Sequence, residues 1–168
     1  NSLLDLSRMK AGKTRFTPDP VALDQVVASV FRALARPMET AGVTLALDLT
    51  PCTVAGEEGR LSLVVSNLAA NALQHTPSGG EIRVTLQVCG SFALLQVEND
   101  GEPIPLEALP RLFEPFYRSD GARDRKSGGT GLGLALVKET VTLHGGTCGV
   151  ENLSTGVCFW VKLPLLST

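Results

Sequence analysis

The chain has 168 residues, 43% of them hydrophobic and 19% charged, and its net charge is −2. This balance is typical of one globular domain and excludes collagen-like, disordered and strongly basic chains, so nothing in it indicates nucleic-acid or anionic-membrane binding. No run of about 18 apolar residues occurs, and no membrane-spanning segment is predicted. The four cysteines form no CxxC or Cys/His cluster. Their spacing argues against a zinc site and favours reduced thiols over a disulfide between Cys148 and Cys158.

The first third of the chain is predicted to contain two helices and one strand. Residues 1–12 have the spacing of the end of an amphipathic helix that stops at a glycine, and a linker with two prolines follows over 13–20. Apolar residues return at helical spacing over 21–41, and apolar and polar residues alternate over 43–49 as in a strand. Because the sequence starts within a helical pattern and without a methionine, we expect it to belong to a longer protein.

The rest of the chain is predicted to alternate helices with pairs of strands. A helix is predicted over 59–75, and two strands joined by a tight turn are predicted over 81–89 and 91–99. The stretch 100–130 is rich in glycine, proline and charge, and loops of that length in compact domains are usually lids or binding loops. The last predicted elements are a helix over 131–144 and strands over 147–152 and 157–164. This order predicts a two-layer α/β sandwich, in which a mixed, largely antiparallel five-stranded sheet carries three helices on one face.

Two asparagines lie four residues apart on the predicted helix 59–75, at the edge of its apolar stripe. Asn67 and Asn71 should therefore lie close together, with Gln74 beside them. Side-chain amides at the rim of a buried face are costly unless their hydrogen bonds are occupied. Either these amides bind backbone or water, or they face a cleft that holds a polar ligand. In the second case an asparagine oxygen is a suitable ligand for Mg²⁺.

A glycine-rich segment, residues 127–134, directly precedes the last predicted helix. Glycines let a backbone approach an anion closely, and the free N–H groups at a helix start attract phosphate. The segment lacks the Lys-Ser/Thr of a Walker A motif, and no strand precedes it as in a dinucleotide fingerprint. Alone, it is compatible with a phosphate site or with a flexible hinge.

The second strand of the pair is predicted to end at an inward-facing Asn99, followed by a turn at Gly101. An inward polar side chain at a strand end either binds the edge of a base or caps the turn. The following region holds several basic residues, which either close over phosphates or form a solvated surface. These residues are Arg111, Arg118, Arg123, Arg125 and Lys126.

Four segments occur in the order and spacing that are typical of sensor histidine kinases. Residues 67–77 (Asn-Leu-Ala-Ala-Asn-Ala-Leu-Gln-His-Thr-Pro) resemble the N box of that family, and Asn99-Asp100-Gly101 resembles its G1 box. Residues 113–118 resemble the F box, and residues 129–134 resemble the G2 box. The Pro-Ile-Pro that follows the G1 box resembles the vancomycin-resistance class of these sensors.

The resemblance implies a Bergerat, or gyrase/Hsp90-like, fold for residues 21–168, with ATP as the bound nucleotide. Residues 1–12 resemble the end of the family's dimerisation hairpin, and residues 13–20 would link the two parts. The family's phosphoacceptor histidine would lie upstream of this segment, so none is expected in this chain.

The resemblance also implies roles for individual residues. Asn71 would coordinate the Mg²⁺ that bridges the phosphates, and Asn67 would support it. Asn99 would accept a hydrogen bond from the adenine amino group, and Ile104 would line the base pocket. Arg118 would neutralise the γ-phosphate, which makes it and Asn67 the expected catalytic residues. The other residues implied for ATP binding are Gln74, His75, Gly101, Phe113, Gly129, Thr130, Gly131, Leu132 and Gly133, and Phe113 and Phe116 would anchor the lid.

Three departures from the family pattern are visible. Asn99 replaces an aspartate and keeps an acceptor oxygen without its charge. Pro103 replaces a glycine that lets the backbone approach the base, and Gln74 and His75 stand where Lys and Tyr are common. Each change weakens one contact without removing the site, so we expect modest affinity for ATP.

Asn67 occupies the position at which ATP-hydrolysing relatives carry a glutamate base. An uncharged amide is too weak a base to activate water, so the resemblance implies transfer to a neutral histidine imidazole on the dimerisation hairpin, in cis or in trans, and then to a response-regulator receiver domain. The parent protein would be a membrane-anchored bacterial sensor with this domain in the cytoplasm. Two alternatives stay open at this point: a degenerate, nucleotide-gated binding module without phosphotransfer, and an ATP-driven clamp or hydrolase of the same fold.

Overall fold

A computed structural model describes residues 2–117 and 131–166 of the chain. The helices and strands of this part follow one another as α1 (Ser2–Lys10), β1 (Asp19–Ala22), α2 (Leu23–Ala33), α3 (Ala35–Ala41), β2 (Thr44–Leu49), β3 (Thr53–Gly56), α4 (Glu58–His75), β4 (Glu81–Cys89), β5 (Phe92–Asp100), a short 3-10 helix (Leu109–Arg111), α5 (Gly133–Leu143), β6 (Thr147–Asn152) and β7 (Gly156–Pro164).

Five strands form the main sheet in the order β2-β4-β5-β7-β6. β2 runs parallel to β4, and the other neighbouring strands of this sheet are antiparallel, which confirms the predicted mixed, largely antiparallel arrangement. Side chains alternate between the two faces of a strand. Val84, Val97 and Phe159 are neighbours across three strands and are all buried, so they lie on the face that the helices cover.

Helices α2, α4 and α5 cover this face, and α4 packs against both of the others. The apolar stripe predicted on α4 is buried in one core with the inward face of the sheet. Full burial of one such side chain contributes roughly 1.5–3 kcal/mol, so the stripe fixes the rotation of α4 and the direction in which Asn67 and Asn71 face. The stripe consists of Leu61, Val64, Val65, Leu68 and Ala72.

The helix predicted over 21–41 is in fact two helices, so the described residues form five α-helices where the sequence predicted four, and three of them cover the sheet as predicted. The break lies at Leu34, where ψ is 4°, and α3 starts one residue later. Pro37 explains the restart. In one continuous helix it would lack the hydrogen bond to the carbonyl four residues earlier, whereas in the first turn of α3 no helical bond is lost.

A small two-stranded sheet was not predicted. β1 and β3 pair antiparallel, with Val21 opposite Val54, and β1 begins inside the segment predicted as a linker over 13–20. Each strand has four residues, and their pairing is set by the packing of distant parts of the chain, so the local pattern of either segment carries little signal.

Helix α1 packs against the start of α5. Leu6 is buried together with Leu132, Ala135 and Leu136 of that region, while the side chain of Leu3 is half exposed. These contacts place α1 beside the glycine-rich start of α5.

Among the described residues, no helix is both long and apolar enough to cross a bilayer.

The residues after α1 are held by Glu57 and His144. The Thr17 N–H donates to Oε1 of Glu57 at 2.8 Å, and the Phe16 ring lies edge-on to the His144 ring with centroids 4.7 Å apart. His144 is buried, and its Nε2 accepts from the Glu57 N–H at 3.2 Å while Nδ1 lies 2.8 Å from the Thr140 carbonyl. This pattern assigns the proton of a neutral ring to Nδ1.

We expect the free energy of unfolding to decrease as the pH falls from about 7 to about 5. Burial lowers the pKa of His144, and desolvation also lowers the pKa of His75. In this range the unfolded chain then binds more protons than the folded chain, so stability is lost as the pH falls through the ordinary histidine pKa towards the folded one. Urea unfolding at several pH values measures the effect.

The variant His144→Asn should flatten the pH dependence of the free energy of unfolding. The variant His75→Asn measures the contribution of the second histidine in the same way. The hydrogen bond from the Thr17 N–H lowers the pKa of Glu57 below its ordinary value. The Glu57 carboxylate therefore loses its contribution to the free energy of unfolding only at more acidic pH. Identical pH profiles for the wild type and His144→Asn would contradict the assigned ring state.

Candidate functional site

A cleft of about 920 Å³ opens between the C-terminal end of α4, the end of β5 and the loop that follows β5. Its volume is within the range of small-molecule sites. Six of the residues predicted for the ATP site line it: Asn71, Gln74, His75, Asn99, Gly101 and Ile104. The residues that the resemblance implies for the ATP site therefore include most of the polar side chains that line this cleft.

The amide edge of α4 and the glycine-rich start of α5 lie side by side. A Cβ atom on Gly133, the first residue of α5, would lie 3.3 Å from Oδ1 of Asn67, and Leu134 lines the same cleft as Asn71. No side-chain hydrogen bond caps this helix at Leu132. Its first N–H groups are therefore suited to bind an anion beside the two asparagines.

The side chain of Asn71 makes no hydrogen bond to another described residue. Its amide is half-buried at the cleft wall, where an unpaired amide is costly unless a ligand or solvent takes its hydrogen bonds. Of the partners left open by the sequence, the described geometry shows no backbone group bonded to the Asn71 side chain, which leaves solvent or a ligand in the cleft to take its hydrogen bonds.

Asn99 faces inwards and Asp100 faces outwards, as the strand parity predicted. Asn99 is 2% exposed, and its Nδ2 donates to the Asp100 carbonyl at 3.0 Å. With the amide nitrogen held in this way, Oδ1 is the atom left to accept from a ligand. The Asp100 carboxylate lies on the other face, where it accepts from Arg83 Nη1 at 3.1 Å and from the Glu81 N–H at 2.9 Å.

Gly101 needs to be a glycine for two reasons. Its φ is +152°, and a Cβ atom there would lie 2.8 Å from the carbonyl oxygen of His75 at the end of α4. Thr76, directly after α4, is buried and donates from Oγ1 to the Ala72 carbonyl at 2.6 Å. The turn after β5 is thus pressed against the last turn of α4, which brings Asn99 and Asn71 to one cleft.

Gln74 and His75 lie at the exposed rim of the cleft. Desolvation by the surrounding atoms lowers the pKa of His75, which favours a neutral ring at pH 7. The rim therefore lacks the positive charge that a lysine would supply there, as the departures in the sequence predicted.

Ile104 is fixed by a residue that the sequence analysis missed. The Ile104 N–H donates to Oδ1 of Asn152 at 2.8 Å, and Nδ2 of Asn152 donates to the Ile104 carbonyl at 2.9 Å. Asn152 ends β6 and lies 48 residues away in sequence. No motif marks it, because its role depends on a pairing between two distant loops.

The two phenylalanines expected to anchor the lid differ. Phe113 packs edge-on against Phe159 of β7 with centroids 6.2 Å apart. Phe116 is 61% exposed and has a φ of +66°, and its N–H donates to the Gly131 carbonyl at 2.9 Å. Phe116 thus contacts the glycine-rich segment through its backbone while its ring is exposed, and its role as a lid anchor stays a prediction.

The variant Gly131→Ala is expected to disturb this meeting point. The φ of Gly131 is +77°, and a Cβ atom there would lie 2.8 Å from the Cα of Phe116. The left-handed backbone alone costs an alanine about 1 kcal/mol, and the contact with backbone cannot be relieved by a rotamer change. We expect a severalfold loss of ATP affinity, measured by calorimetry with a non-hydrolysable analogue.

Gly79→Ala is the matched control, because Gly79 also has a positive φ of 89° and its Cβ would meet open space. An equal loss of affinity in both variants would show that strain alone, and not the contact with Phe116, is responsible.

Several predicted site residues lie outside the described residues. These are Arg118, Gly129 and Thr130, together with Arg123, Arg125 and Lys126. Their assignment to phosphate binding stays a prediction from the sequence.

The family of the chain follows from comparison with known proteins. Residues 56–167 match the family model described as histidine kinase-, DNA gyrase B-, and HSP90-like ATPase. The chain belongs to this family. Its fold matches that of full-length ShkA crystallised in complex with AMPPNP, with a TM-score of 0.86 and 26% identity, over 100% of this chain and 35% of that one.

Within this ATPase family, the similar sequences are those of sensor kinases. The sensor histidine kinase CusS of Escherichia coli strain K12 is 44% identical over 138 residues, which cover 82% of this chain and 28% of CusS. The sensor protein VanSB of Enterococcus faecalis is 36% identical over 172 residues, which cover 100% of this chain and 38% of VanSB. The chain is thus the catalytic ATP-binding domain of a sensor histidine kinase, and it spans well under half the length of these relatives.

Proposed function

We propose that this domain transfers the γ-phosphate of ATP to a histidine on the dimerisation hairpin of its own protein. The observation that carries the proposal is the adjacency of Asn67 to Gly133 at the start of α5, beside a cleft that Asn99 also lines. An adenine at Asn99 and a triphosphate at the start of α5 would occupy the two ends of that cleft.

The side chains that face the cleft suit Mg²⁺ better than a metal that needs several charged ligands. No group of three or more His, Cys, Asp or Glu that could hold a metal ion occurs in residues 2–117 and 131–166. Mg²⁺ keeps several waters and takes phosphate oxygens as ligands, so the Asn71 oxygen fits it as a single protein ligand, with Asn67 beside it. When bound, the ion would offset charge on the phosphates.

The residues of this chain favour transfer over hydrolysis. Asn67 of α4 lies beside the start of α5, at the position where a carboxylate would be needed to activate water. The histidines of the chain are also unsuited as acceptors, since both ring nitrogens of His144 are engaged by backbone groups and His75 belongs to the cleft rim. The acceptor histidine therefore comes from outside this chain, and the domain contributes positioning and charge neutralisation.

The partners follow from this reaction. We propose that residues 1–12 are the end of the hairpin helix that carries the acceptor, and that a response-regulator receiver domain takes the phosphate from it. We also propose a membrane-anchored bacterial sensor as the parent protein, with this domain in the cytoplasm. Arg118 and the amides of Gly129 and Thr130 stay the proposed contacts to the phosphates.

The test is to mix the domain with the hairpin of its parent protein and radiolabelled ATP. Acid-labile, base-stable phosphate on the hairpin is the expected result. Binding of an ATP analogue without any transfer would favour the nucleotide-gated binding module, and steady phosphate release by the isolated domain would favour the hydrolase. Either result would replace the proposed function.

A further inference from the structure

The wall of the cleft beside β5 is held by the hairpin of β6 and β7. Asn152 makes two hydrogen bonds to the backbone of Ile104, one as acceptor and one as donor, at 2.8 and 2.9 Å. A second tie joins the same two loops, because the Gly101 N–H lies 3.3 Å from the Thr155 carbonyl. The Asn152 amide thus bonds both the N–H and the C=O of Ile104, as the backbone of a neighbouring strand would.

The composition of the loop explains why both backbone groups of Ile104 are hydrogen-bonded to one side chain. Pro103 and Pro105 flank Ile104, and proline has no N–H and a fixed φ. Ile104 therefore offers the one backbone donor of residues 103–105, and Asn152 binds it together with the Ile104 carbonyl. The prolines restrict the chain, and the amide fixes the position of the restricted segment.

We propose that Asn152 is a positioning residue for the nucleotide base: it holds the Pro-Ile-Pro segment in place so that the wall of the base pocket is formed before ATP binds. This inference rests on the proposed function, because the pocket matters only if the cleft takes a nucleotide. A preformed wall lowers the ordering cost of binding. It also offsets the loss of the flexible glycine at position 103, since a rigid segment must be placed correctly to be useful.

The amide group is the part of Asn152 that the proposal requires. It supplies an acceptor and a donor in one plane. Aspartate has the same shape but only acceptor oxygens when ionised, so Asn152→Asp would set an oxygen against the Ile104 carbonyl. Alanine removes both bonds, and glutamine keeps both groups on a longer stem. We therefore expect Asn152→Ala and Asn152→Asp to weaken binding and Asn152→Gln to restore part of it.

The experiment compares a ligand that has the base with one that lacks it. We expect Asn152→Ala and Asn152→Asp to raise the Kd of a non-hydrolysable ATP analogue about tenfold, the effect of about 1.4 kcal/mol, while the Kd of inorganic tripolyphosphate stays within about twofold of wild type. In phosphotransfer assays the KM for ATP should rise with little change in kcat. Ser154→Ala, an exposed residue of the same hairpin, should match wild type throughout.

Unchanged affinity for the ATP analogue in both variants would overturn the proposal, and so would an equal loss for the analogue and tripolyphosphate. Asn152→Asp decides the matter if the alanine variant does not fold. Amide hydrogen exchange without nucleotide tests the two hydrogen bonds between Asn152 and Ile104, which we call the Asn152 clamp. The Ile104 N–H should be protected in the wild type and should exchange faster in Asn152→Asp. Protection of Ile104 in a wild type that binds no ATP analogue would contradict the proposed function while leaving the clamp intact.

Discussion

Replacement of Asn71 by alanine is expected to lower the rate of phosphotransfer to the hairpin by about a hundredfold or more, the effect of losing about 3 kcal/mol of charge stabilisation at the phosphates. The Asn71 side chain lines the cleft without a hydrogen-bond partner among the described residues, and its oxygen is the proposed protein ligand of Mg²⁺. Its loss should remove most of the gain in ATP affinity that Mg²⁺ provides. Calorimetry with a non-hydrolysable analogue, with Mg²⁺ and with EDTA, measures that gain directly.

The matched control is Gln87→Ala, which removes an exposed amide from β4 and should leave binding and transfer unchanged. Asn71→Ala should unfold at nearly the wild-type urea concentration, because a half-buried amide without a described partner contributes little to folding. A Mg²⁺-dependent affinity in Asn71→Ala equal to that of wild type would reject Asn71 as the metal ligand.

Replacement of Asn99 by alanine is expected to reduce ATP affinity by tenfold to a hundredfold, the range for one well-formed hydrogen bond in a buried site. Asn99 is 2% exposed, and its oxygen is left to accept from a ligand, which in the proposal is the adenine amino group. The same variant should bind inorganic tripolyphosphate as wild type does, since in the proposed arrangement the phosphates would lie at the other end of the cleft. Competition against a fluorescent ATP analogue measures both affinities.

The variant Asn99→Asp separates the two bonds of this side chain. An aspartate keeps an acceptor for the adenine and gains charge, so ATP affinity should be preserved or increased. It loses the donor to the Asp100 carbonyl, and we expect the free energy of unfolding to fall by about 1–3 kcal/mol. Loss of ATP binding by a folded Asn99→Asp would show that Asn99 does not contact the adenine.

The sequence predicted the elements whose pattern is local. The apolar stripe on α4 has the period of a helix, and it predicted that Asn67 and Asn71 share an edge. The alternation in β5 has the period of a strand, and it predicted that Asn99 faces inwards while Asp100 faces outwards. The glycine-rich segment could be placed at a helix start for the same reason. These features explain why the placement of Asn71 and Asn99 was predictable from local pattern, whereas the other residues of the cleft wall followed from the family resemblance.

The missed features depend on contacts between distant segments. The pairing of β1 with β3 and the clamp of Asn152 on Ile104 join residues far apart in sequence, and no local periodicity reports such pairs. The break at Leu34 had a visible cause in Pro37, which the prediction of one helix over 21–41 from apolar spacing did not take into account. Phe116 was expected to anchor the lid because it lies in the segment that resembles the F box, whereas the described bond to Gly131 is made by its backbone.

The central claim is that the asparagine edge of α4 and the start of α5 bind the same triphosphate. A crystal structure of the domain with a non-hydrolysable ATP analogue and Mg²⁺ tests it most directly. The account predicts an adenine at Asn99, a metal at the Asn71 oxygen and phosphates against the first N–H groups of α5. A triphosphate bound away from either the Asn67–Asn71 edge or the Gly133 end of α5 would contradict it.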